Sequence, residues 1–323
     1  MKQLTVILAF LNEGNEVERT LESLKIDPNF EKKCEVILVN DGSTDECDYE
    51  AVAKKYNAFY IKHESQMGAS YSKNEGVEMS GTPYFMILDA HMRALTDSWV
   101  NRVLSALKKD EKAIYCCGCR SLEWKEEDVY MNDLLGLCAS VSFTKKEVFH
   151  LDWIVKSRIP NCKSVMQVPA LLGGSYCGNV EYWRHLHGLN HQVLFGHEEQ
   201  MMSLKSWVAG NGVKCITNVE FAHKFRQGVR KYPGWGALFN LMLSVYLVVP
   251  EELFNQTLKF WEKSSPVYNT AYSYFIKNID TIKEERAYIQ SIAQRDYASF
   301  EQFNNEFKKN YINGSKKIQP GNK

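Results

Sequence analysis

From residue 4 to residue 89 the chain alternates apolar runs with amphipathic stretches. Residues 5–11, 35–40, 59–62 and 84–89 are short and rich in branched and aromatic side chains, which predicts strands; residues 16–24, 49–55 and 70–79 place apolar positions at helical spacing. Such alternation builds βαβ units and predicts an α/β fold with a mostly parallel sheet. In sheets of that kind ligands gather beyond the carboxyl ends of the strands. Here those positions are polar and acidic.

Beyond Asp89 the pattern loosens. A helix is predicted over 98–108 and a strand near 114–118, followed by a Trp- and Met-containing stretch, ending about Pro169, that yields no topology. Strand-like runs at 171–177 and 212–221 flank a helical segment over 199–209. The character then changes: residues 238–249 are apolar, 251–262 amphipathic, and 280–307 charged and helix-favouring without Gly or Pro. Residues 229–323 are therefore expected to form a helical C-terminal region, fraying over 313–323, where Gly314, Pro320 and Gly321 fall.

Composition narrows the function classes. With 323 residues, 45% hydrophobic and 24% charged, the chain has the make-up of one large globular domain plus an appendage. Its 39 basic residues balance 39 acidic ones, so no overall field favours nucleic acid or an anionic membrane. The apolar run at 4–11 is too short for a membrane span and lacks a signal-cleavage pattern. No transmembrane segment is expected, which leaves room for peripheral membrane association. Nine scattered cysteines, an odd number without paired spacing, suit a reducing, cytoplasmic setting. Cys116 and Cys119 have C-x-x-C spacing, but no second pair stands at zinc-ribbon distance.

Two strand ends carry candidate chemistry. The strand over 35–40 runs into Asn40-Asp41-Gly42-Ser43-Thr44-Asp45, a carboxylate and a tight glycine turn that could hold a base or ribose, or could simply cap a helix through Ser43 or Thr44. The run ending at Leu88 delivers Asp89-Ala90-His91. In an extended segment both side chains point to one side. One carboxylate oxygen and one imidazole nitrogen suit Mn²⁺, whereas Mg²⁺ prefers oxygen alone. Such an ion could bridge two phosphates and offset charge on a departing diphosphate. The alternative is an Asp that caps the next turn beside an unrelated His.

Four ordered motifs, Thr5 to Glu13, Val39 to Asp45, Lys73-Asn74-Glu75-Gly76 and Ile87 to His91, together resemble the donor half of family 2 glycosyltransferases. Most of that family has Asp-x-Asp at the metal position. Asp-x-His is instead the pattern of polypeptide N-acetylgalactosaminyltransferases, which share the nucleotide-binding GT-A fold. Pro169 to Ser175, Gly196-His197-Glu198-Glu199 and Phe221 to Arg226 are similar in order to the acceptor side of those enzymes. The likeness covers roughly residues 4–240, and excludes the lectin domain and membrane anchor of the animal enzymes.

The resemblance implies a division into a GT-A domain over 1–228, with a nucleotide-binding half at 1–95 and an acceptor half at 96–228, and the helical region at 229–323. It implies Asp89, His91 and His223 as metal ligands for Mn²⁺ or Mg²⁺. Glu13 and Asp41 match positions that contact uridine, Lys73 and Asn74 stand where relatives place an Arg-Asn pair near the nucleotide, and Asp89 faces the donor as well. Glu198 and Glu199 match the acidic motif beside the acceptor. In inverting relatives the second acid is the general base; acids at both positions leave the stereochemistry open. The implied activity is transfer of a sugar (GalNAc, GlcNAc, Gal or Glc) from a UDP-sugar to a saccharide, protein or lipid-linked acceptor.

Two other function classes are weaker matches. A non-catalytic nucleotide-sugar-binding protein would have shed acidic or metal residues that this chain keeps. A nucleotidyltransferase would follow its first strand with a Gly- and Arg-rich loop, where this chain has Asn12-Glu13-Gly14-Asn15-Glu16. His185, His187, His191 and His197 match no zinc spacing. Trp261, Tyr268, Tyr272, Tyr274 and Phe275 read as packing residues. Tyr232 and Trp235 could belong to a loop that closes over the donor.

Overall fold

A computed structural model describes residues 1–143, 148–226 and 234–313. The first half follows the predicted alternation: β1 (Leu4–Phe10), α1 (Glu16–Leu24), α2 (Phe30–Lys33), β2 (Cys34–Asn40), α3 (Tyr49–Lys55), β3 (Phe59–Lys62), α4 (Ala69–Glu78) and β4 (Tyr84–Asp89). Their order is β3-β2-β1-β4, all parallel and in register from Leu4 opposite Cys34 and Tyr84. β1 is buried on both faces, which its almost unbroken apolar sequence requires. Val6 and Leu8 face a core shared with Val17 and Leu21 of α1, while Ile7 faces the opposite core with Val77 of α4.

The second half is mixed. After β5 (Met92–Ala94), α5 (Trp99–Leu107) and β6 (Ile114–Glu123), the stretch without predicted topology forms a long antiparallel pair, β7 (Tyr130–Phe143) and β8 (Val148–Val155), then a 3-10 turn and β9 (Val165–Val168). β10 (Ser175–Asn179) inserts antiparallel between β4 and β6, and after α6 (Val180–His185) and α7 (Glu198–Ala209) the strand β11 (Val213–Phe225) runs parallel to β6 and antiparallel to β5 and β9. The α/β expectation holds, with the continuous parallel ladder confined to the first half.

Five helices close the described chain: α8 (Gly234–Val248), α9 (Glu251–Ser264), α10 (Tyr268–Lys277), α11 (Ile279–Ile292) and α12 (Tyr297–Lys308), with a last π-helical turn. Two features depart from the sequence reading. The run at 280–307 is broken between α11 and α12, where Asp296 accepts from Ser299 N–H as the N-cap of α12 and Arg295 is drawn to the Trp207 carbonyl. α10 was not foreseen as a helix, though Tyr268, Ala271 and Phe275 bury one of its faces. Trp261, Tyr268 and Phe275 are buried, as packing residues should be. Phe239 of α8, Phe275 and Phe307 join the same core as Ile7 and Ile87. Tyr232 and residues 314–323 lie outside the described residues.

Candidate active site

β4 ends at Asp89, and the chain turns through His91 into β5, whose partner β11 sets His223 opposite Met92. Backbone bonds fix all three positions: Asp89 N–H donates to Gly174 O (2.9 Å), and Lys224 N–H donates to His91 O (3.1 Å). His91 and His223 are thereby brought together across 132 residues, Nε2 to Nε2 at 3.1 Å, and His223 Nε2 lies 3.2 Å from Asp89 Oδ2. Gly174, at φ +91°, packs against the His223 ring, and a Cβ there would lie 3.1 Å from His223 Cδ2.

These residues fit a divalent cation. Among the described residues they form the one group of three His, Cys, Asp or Glu side chains able to hold an ion, with ligand atoms all within 4.8 Å of one another. Separations of about 3 Å are those of neighbouring ligands on bonds of about 2.1 Å. His223 Nδ1 is buried with no hydrogen-bond partner among the described residues. His91 Nδ1 lies 3.1 Å from Glu13 Oε2, and a carboxylate at that nitrogen leaves Nε2 free to present its lone pair. The other Glu13 oxygen takes Arg226 at 2.5 Å, whose guanidinium lies 4.7 Å over the Trp124 ring. Burial opposes ionisation of Asp89, but the bond from His223 and the charge on Lys73 hold its carboxyl well below the ordinary range. Burial holds His223 below the usual imidazole value, against the pull of Asp89.

The acidic pair opens α7. Glu198 is buried, with Oε1 3.4 Å from Ser70 Oγ and 3.9 Å from Lys73 Nζ. Lys73 is itself buried and lies 5.5 Å over the Tyr176 ring. Burial pulls its pKa down, but the Tyr176 ring and the surrounding carboxylates raise it above the ordinary lysine value. The Glu199 carboxylate lies against Gly173, in the space a Cβ would fill. Enclosure, and after it the charge on Glu198, pushes Glu199 up to about 7.

Asp41 and Asn74 belong to other networks. Asp41 accepts from Met67 N–H (2.8 Å) and Gly68 N–H (2.9 Å), and its Oδ1 lies 2.9 Å from His63 Nδ1. Asn74 Oδ1 takes Trp183 Nε1 and Leu189 N–H, and its amide donates to Asn190. Of the residues singled out in sequence, Glu13, Asp89, His91 and His223 thus form one contact network, and Lys73 contacts Glu198 in a second. Asp41 and Asn74 each stand in a different one.

Several side chains here escaped the sequence reading. Ser70 and Tyr176 touch the acidic pair or Lys73, and His63 bridges Asp41 to Glu75. A signal for His63 was present: it follows β3 directly, at the same sheet edge that singled out Asp41 and Asp89. Tyr176 stands two residues beyond Gly174 in an apolar strand, where pattern alone makes it core.

The Asp-x-His turn thus lies beyond the carboxyl end of a parallel strand, where ligands gather in α/β sheets. The model of glycosyl transferase family 2 matches residues 5–170, just over half of the 323-residue chain, and the chain belongs to that family. An uncharacterized glycosyltransferase of Escherichia coli (strain K12), YibD, is 30% identical over 118 residues, 35% of this chain and 33% of that protein. Polypeptide N-acetylgalactosaminyltransferase 8 of Drosophila melanogaster is 24% identical over 236 residues, 71% of this chain and 39% of that protein. The chain thus spans about a third to two fifths of the length of these relatives. The crystal structure of GalNAc-T7 with UDP, GalNAc and Mn²⁺ superposes with a TM-score of 0.72 at 17% identity, covering 97% of this chain and 58% of that one. The likeness meets the GT-A expectation for the fold. No helix among the described residues is long and apolar enough to cross a membrane.

Proposed function

We propose that the protein transfers a sugar from a UDP-sugar to a hydroxyl group of a saccharide, protein or lipid-linked acceptor, using Mn²⁺, or Mg²⁺ in its place, held by Asp89, His91 and His223. The observation that carries this reading is the convergence of those three side chains from β4, the following turn and β11 onto one point at the carboxyl edge of the parallel sheet. The fold shared with an enzyme solved with UDP, GalNAc and Mn²⁺ supports it. When bound, the cation would neutralise charge on the departing diphosphate.

The chain's own residues supply the rest. Glu13 holds His91 by Nδ1, an assignment its two contacts favour over direct contact with uridine. Lys73 keeps a positive charge beside the acid pair. Glu199, with an affinity for protons near neutrality, is matched to take the proton of an acceptor hydroxyl, while Glu198 faces Lys73 and Ser70. Residues 1–95 serve the donor and 96–228 the acceptor, with 229–323 as a helical buttress. The unpaired cysteines are in keeping with a cytoplasmic setting.

The test is thermal unfolding with UDP. Mn²⁺ and UDP together should raise the midpoint beyond either alone, since a ligand that binds only the folded state stabilises it by mass action. Equal shifts with GDP, or a UDP shift indifferent to Mn²⁺, would remove this reading.

A further inference from the structure

At the carboxyl end of β3, His63 lies between two carboxylates. Its Nδ1 is 2.9 Å from Asp41 Oδ1 and its Nε2 is 2.7 Å from Glu75 Oε2, and its side chain is only 9% exposed. A neutral imidazole carries one proton, so its second nitrogen would turn a lone pair onto a carboxylate oxygen. With an acid at each nitrogen, the arrangement is satisfied when the ring carries both protons and a positive charge. Burial works against that charge, but the bonds to Glu75 and Asp41 outweigh it and raise the His63 pKa above the ordinary value.

The bridge fixes more than one side chain. Asp41 leaves the end of β2, Glu75 sits on α4, and His63 begins the loop between β3 and α4. The same Asp41 carboxylate gathers the amides of Met67 and Gly68 at the far end of that loop. Gly68 adopts φ +106° against the backbone of Leu194, where a Cβ would lie 2.7 Å from the Leu194 carbonyl oxygen. From Gly68 the chain enters α4, which carries Ser70 and Lys73 toward Glu198. Asp41 and Glu75 are the charged groups that bear on the ring, and Tyr71 of α4 packs at 5.6 Å, ring edge to face.

We propose that His63 is a charged positioning residue of the donor pocket: as an imidazolium it holds Asp41 and the 63–68 loop in place, so that affinity for a uridine nucleotide falls as rising pH removes its proton. This rests on the reading of Asp41 as a donor contact. His63 does not touch the reacting atoms; it acts through Asp41.

The experiment measures UDP affinity with Mn²⁺ by calorimetry between about pH 6 and pH 9, for the full chain and for His63→Gln. The ratio of the two cancels the ionisation of UDP and of the metal site. The variant should bind about tenfold more weakly at the acid end, with the gap closing at the alkaline end, where the wild-type ring has lost the charge that the variant never carries. A gap that stays constant with pH overturns the charge, and no gap at all overturns the positioning. Wild-type protein that fails to bind UDP at any pH breaks the donor reading, and this inference with it.

Because His63→Gln could simply fold poorly, Glu75→Gln provides the second arm. It keeps the ring and removes one carboxylate, so the pH at which wild-type-like affinity is lost should move down. An unmoved transition overturns the bridge. Nitrogen NMR of His63 near pH 6 should show both ring nitrogens protonated, and a single-proton ring overturns the proposal directly.

Discussion

Around the loop that follows β3, Asp41 spends both carboxylate oxygens on Met67, Gly68 and His63, and His63 spends both nitrogens on acids. Around the acidic pair the account is different. The Tyr176 hydroxyl is buried with no hydrogen-bond partner among the described residues, Lys73 stands 3.9 Å from the nearest Glu198 oxygen, and Glu199 is pushed up to about 7. Fully paired buried polar groups hold a structure rigid, whereas underpaired ones carry a standing cost that a bound ligand can relieve. The 63–68 loop is therefore fixed by its own bonds, and the region between the Asp89–His91–His223 cluster and α7 is where polar groups are left underpaired.

The contrast is broken most decisively at the Asp89–His91–His223 cluster. Asp89→Asn keeps the shape of the side chain and removes the charge that faces His223. Donor turnover should fall on the order of a thousandfold with Mn²⁺ binding lost, while the metal-free thermal midpoint stays within a few degrees of wild type. Mn²⁺ titration followed by electron paramagnetic resonance checks the binding arm. Unchanged Mn²⁺ affinity would separate this cluster from the chemistry.

Asp41→Ala tests the paired end. Removing a buried carboxylate that accepts two backbone amides and a histidine should lower stability by about 2–4 kcal/mol, read from urea unfolding. A variant as stable as wild type would show that the 63–68 loop does not depend on these bonds, and the comparison would fail from its other side.

The difference between the ends also explains what the sequence could reveal. Strands β1 to β4 lie within a residue of their predicted bounds because each is a local apolar run, with β1, β2 and β4 almost wholly buried, and Asp41, Asp89 and His91 follow from strand ends alone. β10 begins at Ser175, later than expected, because its position is set by antiparallel pairing with β4 and β6, partners distant in sequence. The β7–β8 pair is local, joining consecutive strands, but no Gly, Pro or Asn between them marked a turn in the sequence. His223 was legible only through motif resemblance: nothing near it in the chain announces His91, and β11 has a register shift between Ile216 and Glu220 before it reaches the cluster. The contact between Glu13 and His91 was not legible, since a carboxylate after β1 gives no hint that it will meet a histidine after β4.

The smallest expected effect is on Glu199, and it links stability to turnover. Its pKa stands near 7 because enclosure, then the charge on Glu198, disfavours its ionised form. A carboxyl whose folded pKa is raised takes up a proton on folding between the unfolded value, about 4.3, and the folded one, so stability falls as pH rises through that window and levels off above it. In protein free of metal and nucleotide, Glu199→Gln should remove this slope and gain on the order of 2 kcal/mol relative to wild type at alkaline pH compared with acid pH. Glu198→Gln should move the slope to lower pH by removing the like charge. If Glu199 is the base, turnover must instead rise with pH over the same interval, because only the ionised carboxylate accepts the acceptor's proton. Stability falling while turnover climbs, with both trends flattened by Glu199→Gln, would mark a carboxylate kept costly for its chemistry; a variant that retains the stability slope would place the titrating group elsewhere.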